Sequence, residues 1–340
     1  MTMAGSQTSR DEIVGIIGAG AFGTAMAMIV AQTGRTAIVF GRDQARIAEI
    51  NERRSNAQYL PGVKLPDAIS ASTDPAALAS CEIILIAVPA QATRKVAQVL
   101  ADTLPRGVTI LACAKGIEQE TGASQVAILT ETLPHRPLAV LSGPGFAADI
   151  AKGLPTAVTI AANRPETAHY VADRLATPSF RPYACTDVAG VELGGALKNV
   201  IAIACGVVAG RALGESARAA LITRGLAEMM RLADAFGAQR QTLMGLSGLG
   251  DLVLTATSMQ SRNTRFGVAL GEGKTVSELL DAGMPLAEGA YTAGIAADLA
   301  ARHGVDMPIT EAVAAVIAGT FSVDAAIAGL VTRPLKSENA

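Results

Sequence analysis

A lysine inside an apolar helix is the first residue to ask about. Lys198 sits in Gly195-Ala196-Leu197-Lys198-Asn199-Val200-Ile201-Ala202-Ile203-Ala204, a stretch with no other charge. Such a lysine either snorkels to the surface or meets an anion, because an unpaired buried ammonium is costly. Lys115, in Ala112-Cys113-Ala114-Lys115-Gly116, follows an apolar run that reads as a strand. It is thereby placed at the carboxyl edge of a sheet, where open α/β proteins bind ligands, unless it is a solvated loop lysine. Gly248-Leu249-Gly250-Asp251-Leu252 brings a carboxylate in a glycine-rich turn, and Ser261-Arg262-Asn263 a compact polar cluster. A carboxylate can orient a catalytic lysine, and an arginine beside serine and asparagine can hold a phosphate. Both groups could equally be helix caps.

A second signal lies near the start of the chain. Gly18-Ala19-Gly20-Ala21-Phe22-Gly23 is a G-x-G-x-x-G between a strand-like run and a helical run. Its glycines serve a tight turn, close backbone approach to a pyrophosphate and close helix–strand packing. The anion then rests on the helix N-terminus, where free N–H groups and the dipole favour it. The end of the next strand selects the dinucleotide. Val39-Phe40-Gly41-Arg42-Asp43 has a glycine and an arginine where an NAD site would carry an acid. Arg42 suits a ribose 2′-phosphate, so NADPH is expected, with NADH the alternative. Asp43 could cap the following helix or accept from a ribose hydroxyl.

These residues need elements to position them. Short apolar runs recur through the first half at Ile13–Ile17, Ala37–Phe40, Ile83–Val88, Val108–Ala112, Leu138–Leu141 and Ala157–Ala161. Each reads as a strand buried on both faces. Helical stretches at Thr24–Thr33, Asp43–Asn51, Gln91–Leu104 and Gly122–Leu133 alternate with them. The alternation predicts an α/β Rossmann-type doubly wound parallel sheet. From about residue 190 the texture becomes helical, at Val191–Gly206, Gly214–Phe236, Thr275–Ala282, Glu288–His303 and Thr310–Ala318, with Thr310 as a candidate N-cap. The expected division is a sheet domain over residues 1–190 and an all-helical domain over 191–340. The polar head, residues 1–12, lacks the pattern of a signal peptide, and residues 336–340 read as a frayed end.

Composition excludes other classes. The chain has 340 residues, half of them hydrophobic, with 17% charged and a formal net charge of −2. Mean hydropathy is +0.36, which is unlike a disordered chain. Near-neutral charge leaves no footprint for nucleic acid. Cys81, Cys113, Cys185 and Cys205 are scattered, as are His135, His169 and His303, so neither a disulfide framework nor a metal site is expected. Residues 13–34 carry no charge until Arg35, a span long enough for a bilayer, but five glycines interrupt it. Strand, turn and helix explain it better than membrane insertion.

Taken together these motifs resemble the bacterial-type NAD(P)-dependent sn-glycerol-3-phosphate dehydrogenases over roughly residues 12 to 332. The likeness is carried by the glycine motif with Thr24-Ala25, by Tyr59-Leu60-Pro61-Gly62, Lys115-Gly116-Ile117-Glu118 and Leu141-Ser142-Gly143-Pro144. It continues through Gly153-Leu154-Pro155-Thr156-Ala157, Ala196-Leu197-Lys198-Asn199, Gly245 to Asp251 and Ser261-Arg262-Asn263. The resemblance implies a homodimer that reduces dihydroxyacetone phosphate for glycerophospholipid synthesis, and the scattered cysteines fit a reduced, cytoplasmic protein. It implies Lys198 as the catalytic acid/base. Lys115, Gly143, Gly145, Lys198, Asp251, Ser261, Arg262 and Asn263 fall on substrate-contact positions. Gly18, Gly20, Ala21, Phe22, Gly23, Arg42, Lys115, Ala147, Arg262, Leu286 and Glu288 fall on cofactor-contact positions. Three residues depart from the pattern: Ala21 and Phe22 replace a usual serine and tryptophan, and Gly145 replaces a usual serine. Two rival readings share the fold plan, a 2-hydroxyacid or ketopantoate reductase and a non-catalytic dinucleotide sensor. A phosphate clamp in the helical domain separates the first reading from both.

Overall fold

In a computed structural model that describes residues 12–334, the sheet has eight strands. They are β1 (Ile13–Ile17), β2 (Thr36–Phe40), β3 (Ile69–Ser72), β4 (Ile83–Ile86), β5 (Thr109–Ala112), β6 (Leu138–Ser142), β7 (Thr156–Ala161) and β8 (Phe180–Cys185). Their order is β3-β2-β1-β4-β5-β6-β7-β8. β1 pairs in parallel with β2 on one side, Ile17 beside Phe40, and with β4 on the other, Ile17 beside Ile86. The strand order therefore reverses at β1, which opens a crevice at the carboxyl ends of β1 and β4. β4 is buried throughout, as expected of a strand covered on both faces. Ile16, Val39, Leu85, Leu111 and Ile160 belong to one apolar core.

The chain forms two compact units. The first holds the chain up to Ala114, Val126–Leu141 and Gly145–Thr186. The second holds Lys115–Gln125, Ser142–Pro144 and the chain from Asp187 onward. Helix Val188–Gly210 is the axis of the second unit, and Asp187 caps it by accepting from the Gly190 N–H. It is long and apolar enough to cross a membrane, yet 83% of its apolar window is buried within the fold. It serves as a core helix. Gly206 and Gly210 face Gly267 and Gly271 of helix Arg262–Gly271 so closely that a Cβ at any of the four would strike the neighbouring backbone. The missing side chains bring the two helices together.

Two expectations need correction. Thr310 is no N-cap: the helix runs Pro308–Ile317, with proline in its first turn. Thr310 is buried inside it, and Glu228 does the capping from another helix, accepting from Ile309 N, Thr310 N and Thr310 Oγ1. Burial pushes the Glu228 carboxyl up to about 7. The helix expected over Gln91–Leu104 is a 3₁₀ turn, Ala90–Ala92, and a helix ending at Leu100. The polar head expected over residues 1–12 and the frayed end expected over 336–340 lie, save Glu12, outside the described residues.

Candidate active site

In the first unit the glycine turn is made of backbone. Gly18 has φ +118, and a Cβ there would lie 2.6 Å from the Ala87 carbonyl oxygen. Its N–H donates to Phe40 O at 2.9 Å, which fixes the turn to β2. A Cβ on Gly23 would run into the Gly18 carbonyl, so helix Ala21–Gln32 can leave the turn this tightly only from glycine. Gly20 precedes the helix, no side chain caps it, and a Cβ at Gly20 would meet nothing within 4 Å. Uncapped N–H groups beside open space fit a dinucleotide pyrophosphate. Ala21 and Phe22 are half-buried against the core, and Arg42 is exposed beyond β2. Asp43 caps helix Gln44–Ala48 through Arg46 N, the first of its two anticipated roles. Gly145 and Ala147 precede and open helix Ala147–Ala151. A Cβ on Gly145 would press on Ile150 and Thr156, both at 3.1 Å, so glycine has a local packing reason here.

In the second unit the cluster is made of side chains. The π-helical turn Leu246–Gly250 folds back on Leu243, where a Cβ on Gly248 would collide with the Leu243 carbonyl. That turn delivers Asp251 to the first turn of helix Asp251–Thr257, where the helix dipole favours a carboxylate. Asp251 is 2% exposed. Its Oδ1 accepts from Lys198 Nζ at 3.0 Å and its Oδ2 from Lys115 Nζ at 2.7 Å. Lys198 also donates to Thr255 Oγ1 at 2.7 Å, and Lys115 to the Gly143 carbonyl at 2.8 Å. Gly143 has φ +141, a backbone conformation that glycine permits. An ammonium carries three donors, so these bonds leave each lysine one N–H for a ligand.

The electrostatics follow from burial. Burial pulls Lys198 down to about 8, against the pull of Asp251. Burial would raise the Asp251 carboxyl, but Lys115 and Lys198 together hold it below the ordinary carboxylate range. One carboxylate between two ammonium groups leaves net positive charge, which suits an oxyanion or a polarised carbonyl.

Ser261 is the N-cap of helix Arg262–Gly271, its Oγ accepting from Thr264 N. Arg262 is exposed at the first helical position. Asn263 Nδ2 donates to Asn199 Oδ1 at 2.9 Å, and Asn263 Oδ1 accepts from Gly289 N. Asn199 Nδ2 in turn donates to the Lys115 carbonyl at 3.2 Å. This chain ties the Lys115 loop, the Lys198 helix, the Ser261–Asn263 cluster and the start of helix Glu288–His303 to one another. Leu286, half-buried against the helical core, lies just before it. Lys115, Gly143, Lys198 and Asp251 are thus in direct contact, with Ser261, Arg262, Asn263 and Glu288 connected through backbone and amide bonds. Gly18, Gly20, Ala21, Phe22, Gly23, Arg42, Gly145 and Ala147 belong to the first unit. Thr255 and Asn199 were absent from the expected set. Thr255 could have been found four residues after Asp251, on the same helix face.

Two family models cover the chain. Residues 187–328 match "NAD-dependent glycerol-3-phosphate dehydrogenase C-terminus", and residues 13–168 match its N-terminus. A protein of Agrobacterium fabrum named glycerol-3-phosphate dehydrogenase [NAD(P)+] is 52% identical over 97% of this chain and 99% of its own length. A Parvibaculum lavamentivorans protein of the same name is 46% identical over 96% and 98%. A solved glycerol-3-phosphate dehydrogenase from Coxiella burnetii superposes with a TM-score of 0.90 at 38% identity, over 95% of this chain and 99% of that one. A ketopantoate reductase from Ralstonia eutropha reaches a TM-score of only 0.58 at 16% identity, covering 90% and 97% of the two chains. That likeness is one of fold.

Proposed function

The chain belongs to the NAD-dependent glycerol-3-phosphate dehydrogenase family, and from that premise we propose which of its residues carry the interconversion of dihydroxyacetone phosphate and sn-glycerol 3-phosphate. When bound, the nicotinamide of NAD(P)H supplies the hydride that reduces the ketone carbon. Lys198, as ammonium, donates its remaining N–H to the ketone oxygen and gives up that proton as the alkoxide develops. The neutral amine left behind takes a proton from solvent, and in the oxidation direction it serves as general base. A lysine brought to about 8 is matched to proton transfer in either direction near neutral pH. Asp251 orients Lys198 and Lys115 together, and Thr255 receives a second Lys198 donor.

Arg262, with Ser261, Asn263 and Lys115, grips the substrate phosphate, and Gly143 and Gly145 offer backbone to it. Gly18, Gly20 and Gly23 seat the pyrophosphate, while Arg42 favours NADPH over NADH. Ala21, Phe22, Lys115, Ala147, Arg262, Leu286 and Glu288 complete the cofactor contacts. The enzyme works in the cytoplasm as a homodimer and supplies glycerophospholipid synthesis. A sedimenting species of about twice 34.6 kDa supports the dimer, and a monomer at micromolar concentration contradicts it.

The observation that carries this reading is the Lys115–Asp251–Lys198 bridge with one donor left on each lysine. The test is NADPH or NADH oxidation, followed by absorbance, with dihydroxyacetone phosphate. Unphosphorylated dihydroxyacetone and ketopantoate serve as controls. Turnover that depends on the phosphate is the expected result. Equal turnover without it, or faster turnover of ketopantoate, overturns the reading.

A further inference from the structure

The Tyr59-Leu60-Pro61-Gly62 motif contributes none of the site residues above, yet its backbone holds a buried polar side chain against the glycine turn. Asn56 is 1% exposed. Its carbonyl accepts from Tyr59 N at 3.1 Å and Leu60 N at 2.8 Å, and Leu60 is buried in the first unit's core. Asn56 is therefore anchored from behind. In front, Asn56 Nδ2 donates to the Ala19 carbonyl at 3.1 Å and to Thr24 Oγ1 at 2.8 Å. Ala19 lies between Gly18 and Gly20, and Thr24 N donates to Gly20 O at 3.0 Å. The amide orientation is fixed by its partners. The Ala19 carbonyl can only accept, and a reversed amide would set two carbonyl oxygens together. Asn56 Oδ1 is enclosed without a hydrogen bond. An apolar side chain would avoid that cost, so its presence needs a reason other than packing.

We propose that Asn56 is a positioning residue for the cofactor, which aims the Gly20 N–H at the pyrophosphate by holding the Ala19 carbonyl from the opposite side. In a planar trans peptide the C=O and the following N–H point in opposite directions. No cis peptide occurs among the described residues, and a Cβ on Gly20 would meet open space. Tethering the Ala19 oxygen therefore sets the direction of the Gly20 donor and prevents a peptide flip that would present an oxygen to the anion. The Tyr-Leu-Pro-Gly turn is the brace for this tether. The inference rests on the reading of Gly18–Gly23 as a dinucleotide site.

The test is fluorescence titration of the full-length protein with NADPH. Asn56→Ala raises the NADPH Kd about five- to ten-fold, the worth of one well-placed hydrogen bond. Asn56→Asp raises it further, because a carboxylate faces the Ala19 oxygen and adds negative charge beside the pyrophosphate. The KM for dihydroxyacetone phosphate at saturating NADPH moves less than about two-fold in either variant, well under the Kd change. A space-filling role predicts the reverse order, since aspartate fills the volume and alanine leaves a void. NADPH affinity like that of wild type in both variants, the reversed order, or a substrate KM rising in step with the Kd overturns the proposal. Should both variants fail to fold, Thr24→Val removes only the second acceptor. A roughly two- to three-fold rise in Kd then supports the tether, and no change overturns it. Failure of the wild type to bind NADPH would sink the dinucleotide reading itself, a separate result.

Discussion

The glycine turn of the first unit offers uncapped backbone N–H groups, whereas the cluster around Lys198 in the second unit offers two ammonium groups held by one carboxylate. The first works because atoms are missing. A Cβ on Gly18 or Gly23 would run into the backbone of Ala87 or Gly18. The second is held by opposite charge, with Asp251 at 2% exposure bonded to both lysines. Adding an atom should damage the turn, and removing a charged group should damage the cluster. The two sites thus differ in how they can be broken, and a set of substitutions can separate them.

The largest effect belongs to the cluster. Lys198→Ala should lower turnover by about 10²–10⁴-fold, the usual span for a positioned acid, in a protein whose circular dichroism melt remains cooperative. Asp251→Ala should cost about 3 kcal/mol of folding stability in chemical denaturation, because it leaves buried ammonium charge without its partner. A loss under about 0.5 kcal/mol, the range of a neutral surface change, would mean that the carboxylate is not what holds the cluster.

Smaller effects belong to the turn. Gly23→Ala should cost about 1–3 kcal/mol and weaken NADPH binding, since the helix must move off the strand. Gly20→Ala, where a Cβ meets open space, should stay within about 0.5 kcal/mol of wild type in stability. Equal destabilisation by the two would contradict the close-approach argument. Arg42→Ala should shift the NADPH-to-NADH preference by about five- to ten-fold, measured as the ratio of kcat/KM values. No change would remove Arg42 from the 2′-phosphate.

How legible each region was in the sequence follows from the same contrast. β1 and β4 lie inside the sheet and read as continuous apolar runs, so Ile13–Ile17 and Ile83–Ile86 were plain. β3, with the sequence Ile-Ser-Ala-Ser, and β8, with Arg181, Pro182 and Tyr183, were not recognised as strands. Both are edge strands, where one side lacks a neighbour and polar residues and proline are tolerated. Lys198 was conspicuous as the one charge in the apolar stretch Gly195–Ala204, and Asp251 as the one carboxylate in a glycine-rich turn. The contact of Asp251 with Lys115 was not legible, because it joins residues 136 positions apart. Asn56 gave no signal of its own, and Thr255 only its spacing of four residues from Asp251. Each acts through a partner supplied by a distant stretch or by the opposite side of a turn.

The most direct test of the central claim is the pH dependence of NADPH oxidation with dihydroxyacetone phosphate, in wild type and Lys198→Ala. With Lys198 as the acid, reduction would need its ammonium form, which is present below about 8 and lost above it. Wild-type kcat/KM for reduction should therefore fall as pH rises through about 8, and oxidation of sn-glycerol 3-phosphate should rise through the same value. The residual activity of Lys198→Ala should lack that inflection. A variant that keeps the wild-type inflection, or a wild-type reduction rate that climbs through pH 8, would show that another group supplies the proton.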